Sequence, residues 1–237
     1  MDISDLQEQL SALYLRLNGY FVSGFIIHAP EGEVNEKGKP RKVRGEIDML
    51  AVRFPHNKEP ERGVGPSDYL HVSGANIDIL ICEVKGGNQP LQFNEGLRSD
   101  SNRVLSVLRW IGILDEIKVE QAIDRVVEIL STGYSNKPDQ FREYYVPDTN
   151  YRIRAIIFAP DRQAPTKPNQ QRYIYGEEIL SYMWQCLRPQ GIRPMSQTRY
   201  DYGLWETYEE IVRYFKYKEG DNPGNIHDLY AHFKLEE

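Results

Sequence analysis

The stretch ILICEVKGG, Ile79 to Gly87, reads as a buried strand that carries a carboxylate and an ammonium and stops on two glycines. Charged side chains are rarely fully buried unless they are paired or bind a metal. Side chains alternate along a strand, so Glu83 and Lys85 share a face, Val84 takes the other, and two residues rise about 6.5 Å. Carboxylate and ammonium can then address one bound ion or water. Each lowers the cost of the other, and a divalent cation would satisfy the carboxylate better still. Alone, the triplet is a weak sign. Ordinary composition yields about one Glu-x-Lys in a chain this size, and a strand-end ion pair contributes roughly 0–1 kcal/mol.

The neighbouring apolar run strengthens it. RGEIDMLAV, Arg44 to Val52, places Asp48 between Ile47 and Met49. Two adjacent strands with one embedded acid each can bring both carboxylates to one point. Mg²⁺ usually takes one or two carboxylates, keeps several waters and accepts substrate phosphate oxygens.

Outward from these strands, apolar spacing organises the rest. SDLQEQLSALYLRLNGY predicts a helix capped by Ser4, with Leu6, Leu10, Leu13 and Leu17 on one stripe and Asn18-Gly19 as the stop. YFVSGFIIHA, EIDMLAVRF and NIDILICEVK predict three strands, and YRIRAIIFAP a fourth. Residues 55–75 have the Gly, Pro and Ser content of an irregular insertion. LRSDSNRVLSVLRWIGIL, DEIKVEQAIDRVVEIL, GEEILSYMWQCLRP and LWETYEEIVRYFKY show helical spacing. The expected fold is α/β, with strands apolar on both faces and helices over the sheet. The expected organisation is a core over residues 1–165 and a C-terminal helical extension over 166–237 packed on it.

Composition narrows the classes. No stretch approaches the roughly 18 to 20 apolar residues of a membrane span, and the first ten residues lack the basic and apolar regions of a signal peptide. Cys82 and Cys186 lie far apart in apolar elements and read as free thiols. The expected setting is cytoplasmic. The formal charge of −6 argues against non-specific coating of nucleic acid but leaves room for a local basic footprint. Lys37, Lys39, Arg41, Lys42 and Arg44 supply one, with no acid among them. Gly38 and Pro40 punctuate it, so a solvated loop is the competing reading. The five histidines do not cluster, and there is no P-loop, nucleophile elbow or dinucleotide fingerprint, so no nucleotide cofactor is expected.

GEIDMLAV followed by LICEVKGG, behind a helix that contains a glutamate, resembles the PD-(D/E)XK nuclease superfamily. The likeness is greatest to YraN-type nuclease-like proteins and, more distantly, to Holliday-junction resolvases. EQLSALYLRLNGY extends it through the first helix, and it covers about the first 115 residues and the strand near Ile156. The resemblance implies a restriction-endonuclease-like αβββαβ core with a mixed sheet flanked by helices, plus C-terminal helical additions. It implies that Glu8, Asp48 and Glu83 gather Mg²⁺ or Mn²⁺, with the main-chain carbonyl of Val84 joining them. Lys85 would orient or help deprotonate the attacking water, leaving a 5′-phosphate and a 3′-hydroxyl. On a helical wheel Glu8 falls nearly opposite the leucine stripe, which by itself describes an exposed helix glutamate.

The chain departs from the pattern twice: Ile47 stands where the superfamily's name has proline, and thirty-four residues separate Asp48 from Glu83. DNA is the expected substrate. Lys42 and Arg44 directly precede the Asp48 strand and could meet its backbone. Gln92, Arg98 and Arg103 follow the Glu83 strand, and Arg98 and Arg103 flank a helix start that could hold a phosphate. Partner subunits or a homodimer are expected to help choose the target, since no DNA-reading motif is present. The competing classes are a nuclease-like module that binds without cutting, and an RNA-cleaving subunit of a defence or mobile-element complex.

Overall fold

β-Branched and aliphatic residues concentrated in four runs pair into the centre of one mixed sheet in this computed structural model. The structure describes residues 1–29, 32–35, 37–40, 43–56, 64–131, 143–164, 173–188 and 206–235. Strands β1 (Phe21–His28), β2 (Val43–Arg53), β3 (Ile77–Val84) and β5 (Tyr151–Ala159) lie side by side in that order. β1, β2 and β3 are antiparallel to one another, and β3 and β5 are parallel. Two further strands of three residues each, β4 (Glu143–Tyr145) and β6 (Tyr173–Tyr175), pair with the two ends of β5 and complete a six-stranded sheet. Neither was expected: three residues are too few to show a period.

Helices cover both faces, so the chain is α/β. On one face α1 (Ile3–Leu17), α5 (Gly176–Leu187), α6 (Glu209–Tyr217) and α7 (Ile226–Phe233) share a core with Met49, Ala51, Leu80, Cys82, Ile156 and Phe158 of the sheet. On the other, α2 (Glu95–Ser99), α3 (Ser101–Ile111) and α4 (Glu116–Ser131) pack on Ile47, Leu50, Ile79, Ile81, Ile153 and Ile157. Cys82 and Cys186 are both free and buried. Among the described residues no helix is long and apolar enough to cross a membrane.

Three local readings change. The cap of α1 is Asp2, not Ser4: Asp2 accepts the N–H of Asp5, whose side chain returns the bond to the Asp2 N–H. The helix expected over LRSDSNRVLSVLRWIGIL breaks at Asp100, which is extended and caps α3 by accepting the Asn102 N–H at 3.0 Å. An aspartate offers the backbone an alternative partner, which is why it starts helices better than it continues them. The third change lies in β2. Ser23 pairs with Leu50 but Phe25 with Ile47, so two residues of β2, Asp48 and Met49, oppose the single Gly24 of β1. A bulge re-aims side chains. Here it puts Ile47 and Met49 into opposite cores, although strict alternation would place them together.

A buried polar network, absent from the expectations above, anchors the far end of β3. Asp78 is fully buried and receives Tyr20 Oη at 2.5 Å, Arg152 Nε at 3.1 Å and Arg154 Nε at 2.9 Å. Arg154 and Arg152 also donate to the carbonyls of Leu70 and His71, tying the end of the irregular insertion to the sheet. Of that insertion, residues 57–63 lie outside the described residues.

Candidate active site

The β2–β3 ladder runs from Arg53–Asp78 to Met49–Cys82 and then yields to a side chain. Beyond the Met49–Cys82 pair, Asp48 Oδ2 accepts the Val84 N–H at 2.7 Å, and the Asp48 and Glu83 carboxylates are near enough for the charge of one to act on the other. The two acids expected on adjacent strands therefore meet at one end of the sheet. Lys85 Nζ lies 2.6 Å from Glu83 Oε1 and 3.2 Å from Asn94 Oδ1, as two-residue alternation requires. α1 brings Glu8 to the same cleft, a hollow of about 530 Å³. Its lining includes Glu8, Glu46, Asp48, Glu83, Glu95, Lys85 and Arg98, five carboxylates against two cations.

Glu83 is the most constrained of them. It is 1% exposed, and although Oε1 is paired with Lys85, Oε2 is buried with no hydrogen-bond partner of normal geometry. Burial pushes its carboxyl up to about 7; Lys85 and the Asn94 main-chain amide pull it back, and the Asp48 charge adds to the rise. Glu8 sits at the exposed rim. Partial burial of its carboxyl, followed by the charges of Asp48 and Glu46, pushes it up to about 7 as well. Asp48 is raised by burial despite the Val84 N–H and Lys85, with Glu46 adding to the rise. The carboxylates thus crowd one another without enough positive charge to satisfy them.

That excess bears on whether the donor set suits a divalent ion. Among the described residues no three His, Cys, Asp or Glu side chains converge into a ready-made cage. Mg²⁺ does not need one: one or two carboxylates with waters and phosphate oxygens suffice. The Glu83 oxygen without a hydrogen bond of normal geometry, the adjacent Asp48 and the hard oxygen chemistry of the cleft fit such an ion.

The remaining expected residues divide. Arg98 lines the cleft, its Nε donating to the Phe93 carbonyl at 2.8 Å, and Gln92 and Val84 line it too. Arg103 does not line it; it pairs with Asp100 at 3.3 Å and lies against Gly45 and Gly96. The phosphate-binding helix start is corrected as well, because the Asp100 carboxylate already occupies the N-terminus of α3 and would repel an anion. Lys37 and Lys39 are exposed on a turn whose N–H groups donate to Asn35 Oδ1, and neither lines the cleft. Arg41 and Lys42 lie outside the described residues, as does the Arg44 side chain. Glu46, Gln89 and Asn94 were not anticipated. Glu46 was legible in principle, two residues before Asp48 on the same strand face; Asn94 reaches Lys85 from a loop, which no pattern announces.

No family model, no curated protein and no solved structure matches this chain.

Proposed function

We propose that the chain is a metal-dependent nuclease that hydrolyses phosphodiester bonds of DNA on a restriction-endonuclease-like αβββαβ core. The observation that carries this reading is the buried Glu83 carboxylate, one oxygen on Lys85 and the other without a hydrogen bond of normal geometry, beside Asp48 in a cleft that Glu8 also enters. The order of α1, β1, β2, β3, helices and β5 suits the same core. A cleft this acidic repels a phosphate diester unless a cation intervenes, so charge and substrate class point to the same requirement.

Glu8, Asp48 and Glu83, with the main chain at Val84, would hold Mg²⁺ or Mn²⁺. Such an ion lowers the pKa of a water and neutralises charge at phosphoryl oxygens. The chain's own groups supply the rest. The Val84 N–H orients the Asp48 carboxylate. Lys85, held by Glu83 and Asn94, is placed to orient a water and to donate to the oxygen on which negative charge develops. Arg98 lies at the cleft wall, a position from which a phosphate can be held but not read.

The test is incubation of the purified chain with supercoiled plasmid and Mg²⁺ or Mn²⁺, beside Lys85→Ala and Glu83→Gln. The expected result is metal-dependent nicking or linearisation by the wild type, reduced at least 100-fold in both variants. Equal cleavage by Lys85→Ala overturns the reading. Metal-independent binding of DNA with no cleavage favours the non-cutting module, and cleavage of RNA alone moves the chemistry to the other polymer.

A further inference from the structure

Gly86, directly after Lys85, has no room for a side chain. Its backbone is outside the left-handed region, so conformation does not demand glycine. Space does: a Cβ there would overlap Gln7 Oε1 and stand 3.0 Å from Gln7 Cδ and Nε2. The Gln7 amide lies against Gly86 and is not free to swing away. It is 3% exposed, and its Nε2 donates to Tyr230 Oη at 2.6 Å. Tyr230 belongs to α7 and is 4% exposed within the core formed with α1.

The same strand end is fixed on its other sides. Lys85 N–H donates to the Phe158 carbonyl at 2.9 Å, Gly87 N–H donates to Asp161, and Arg162 Nη2 donates to the Gly87 carbonyl at 2.7 Å. Those contacts come from β5 and the turn after it. The contact with Gln7 ties the strand end to α1, whose next residue is Glu8.

We infer that Gln7 and Tyr230 are positioning residues: they clamp the chain at Gly86 so that Lys85 and Glu8 keep their places around Glu83, and α7 thereby takes part in setting the site. The inference rests on the nuclease reading. It follows from how the amide is buried between a strand end and a helix distant in sequence, and from the sensitivity of such chemistry to placement. A shift of about 1 Å at a reacting group can cost roughly 100-fold in rate.

The experiment is a double-mutant cycle on the full chain, with kcat and KM for a duplex substrate in Mn²⁺ and thermal unfolding measured on every protein. Gly86→Ala is expected to lower kcat about 10- to 100-fold with KM little changed, because its methyl drives either the amide or the strand end aside. In a Gln7→Ala background the same change is expected to alter kcat less than about threefold, since the atoms it strikes are gone. Tyr230→Phe, which keeps the ring but removes the acceptor, is expected to lower kcat several-fold with little change in Tm. Equal Gly86→Ala factors in both backgrounds, or an unchanged kcat in folded Tyr230→Phe and Gly86→Ala, overturns the clamp while the nuclease reading stands. A wild type that cuts nothing overturns the nuclease reading and the clamp's catalytic role with it; additive Tm changes around the cycle then reject the contact as well.

Discussion

β3 buries an acid at each end, and the two are treated in opposite ways. Asp78 is fully buried but saturated by Arg154, Arg152 and Tyr20, whereas Glu83 keeps an oxygen without a hydrogen bond of normal geometry. Burial would push the Asp78 carboxyl up, but the charge and hydrogen bonds of Arg154, with Arg152 and Tyr20, hold it below the ordinary aspartate range. Satisfied burial of this kind is structural, whereas the unsatisfied burial of Glu83 is what the proposed cation would relieve. Replacing Asp78 by Ala strands two guanidinium groups, so a loss of about 3–5 kcal/mol is expected in urea unfolding. The pH dependence follows from the sign. A depressed native pKa means the unfolded chain binds the proton first, so this stability is present above about pH 4 and is lost as pH falls through the native value. The gap between the urea midpoints of wild type and Asp78→Asn should narrow as pH falls from 6 to 2.5; a constant gap would contradict the assignment.

Local chemistry sets where elements start, and neighbours set how they aim. α1 begins at a reciprocal Asp2–Asp5 box, and α3 begins where Asp100 takes the Asn102 N–H and pairs with Arg103. Asp100→Ala removes the cap and the ion pair together, and a loss of about 1 kcal/mol is expected in thermal unfolding. Asp100→Asn keeps the cap and should recover most of it. The bulge of β2 is the element-level feature that matters most for the site. It sits at Asp48, turning the strand where its ladder with β3 gives way to the Asp48–Val84 bond.

Two cores separated by one sheet organise the described chain, and the acidic cleft opens at the sheet end where α1 on one side and the α2 segment on the other approach it. The last helix belongs to this arrangement: Ile226, Leu229 and Tyr230 of α7 are buried in the core of α1 and α5. At about 1.5–3 kcal/mol for each buried side chain, removing α7 forfeits about 5 kcal/mol or more, against a total of about 5–15 kcal/mol for a typical domain. A chain ending at Gly224 should therefore lose its cooperative melt in circular dichroism and become sensitive to limited proteolysis. A melt like that of the full chain would refute the packing of α7.

The apolar runs, the paired charges of Glu83 and Lys85 and the embedded Asp48 were legible in the amino-acid string, because strand and helix periods and the cost of burying charge are local properties. So were the four long strands and the α/β class. The two three-residue strands, the break at Asp100 and the Asp78 network were not, since each depends on a partner that local pattern does not name. The same holds for the cleft. Alternation puts Glu83 beside Lys85, but which residue of β2 faces them hinges on a one-residue bulge, and a slip of one would carry Asp48 to the other face of the sheet. Gln7 shows the limit most plainly: nothing in its helix distinguishes it, and it gains a role only when a strand end and a helix more than two hundred residues away close around its amide.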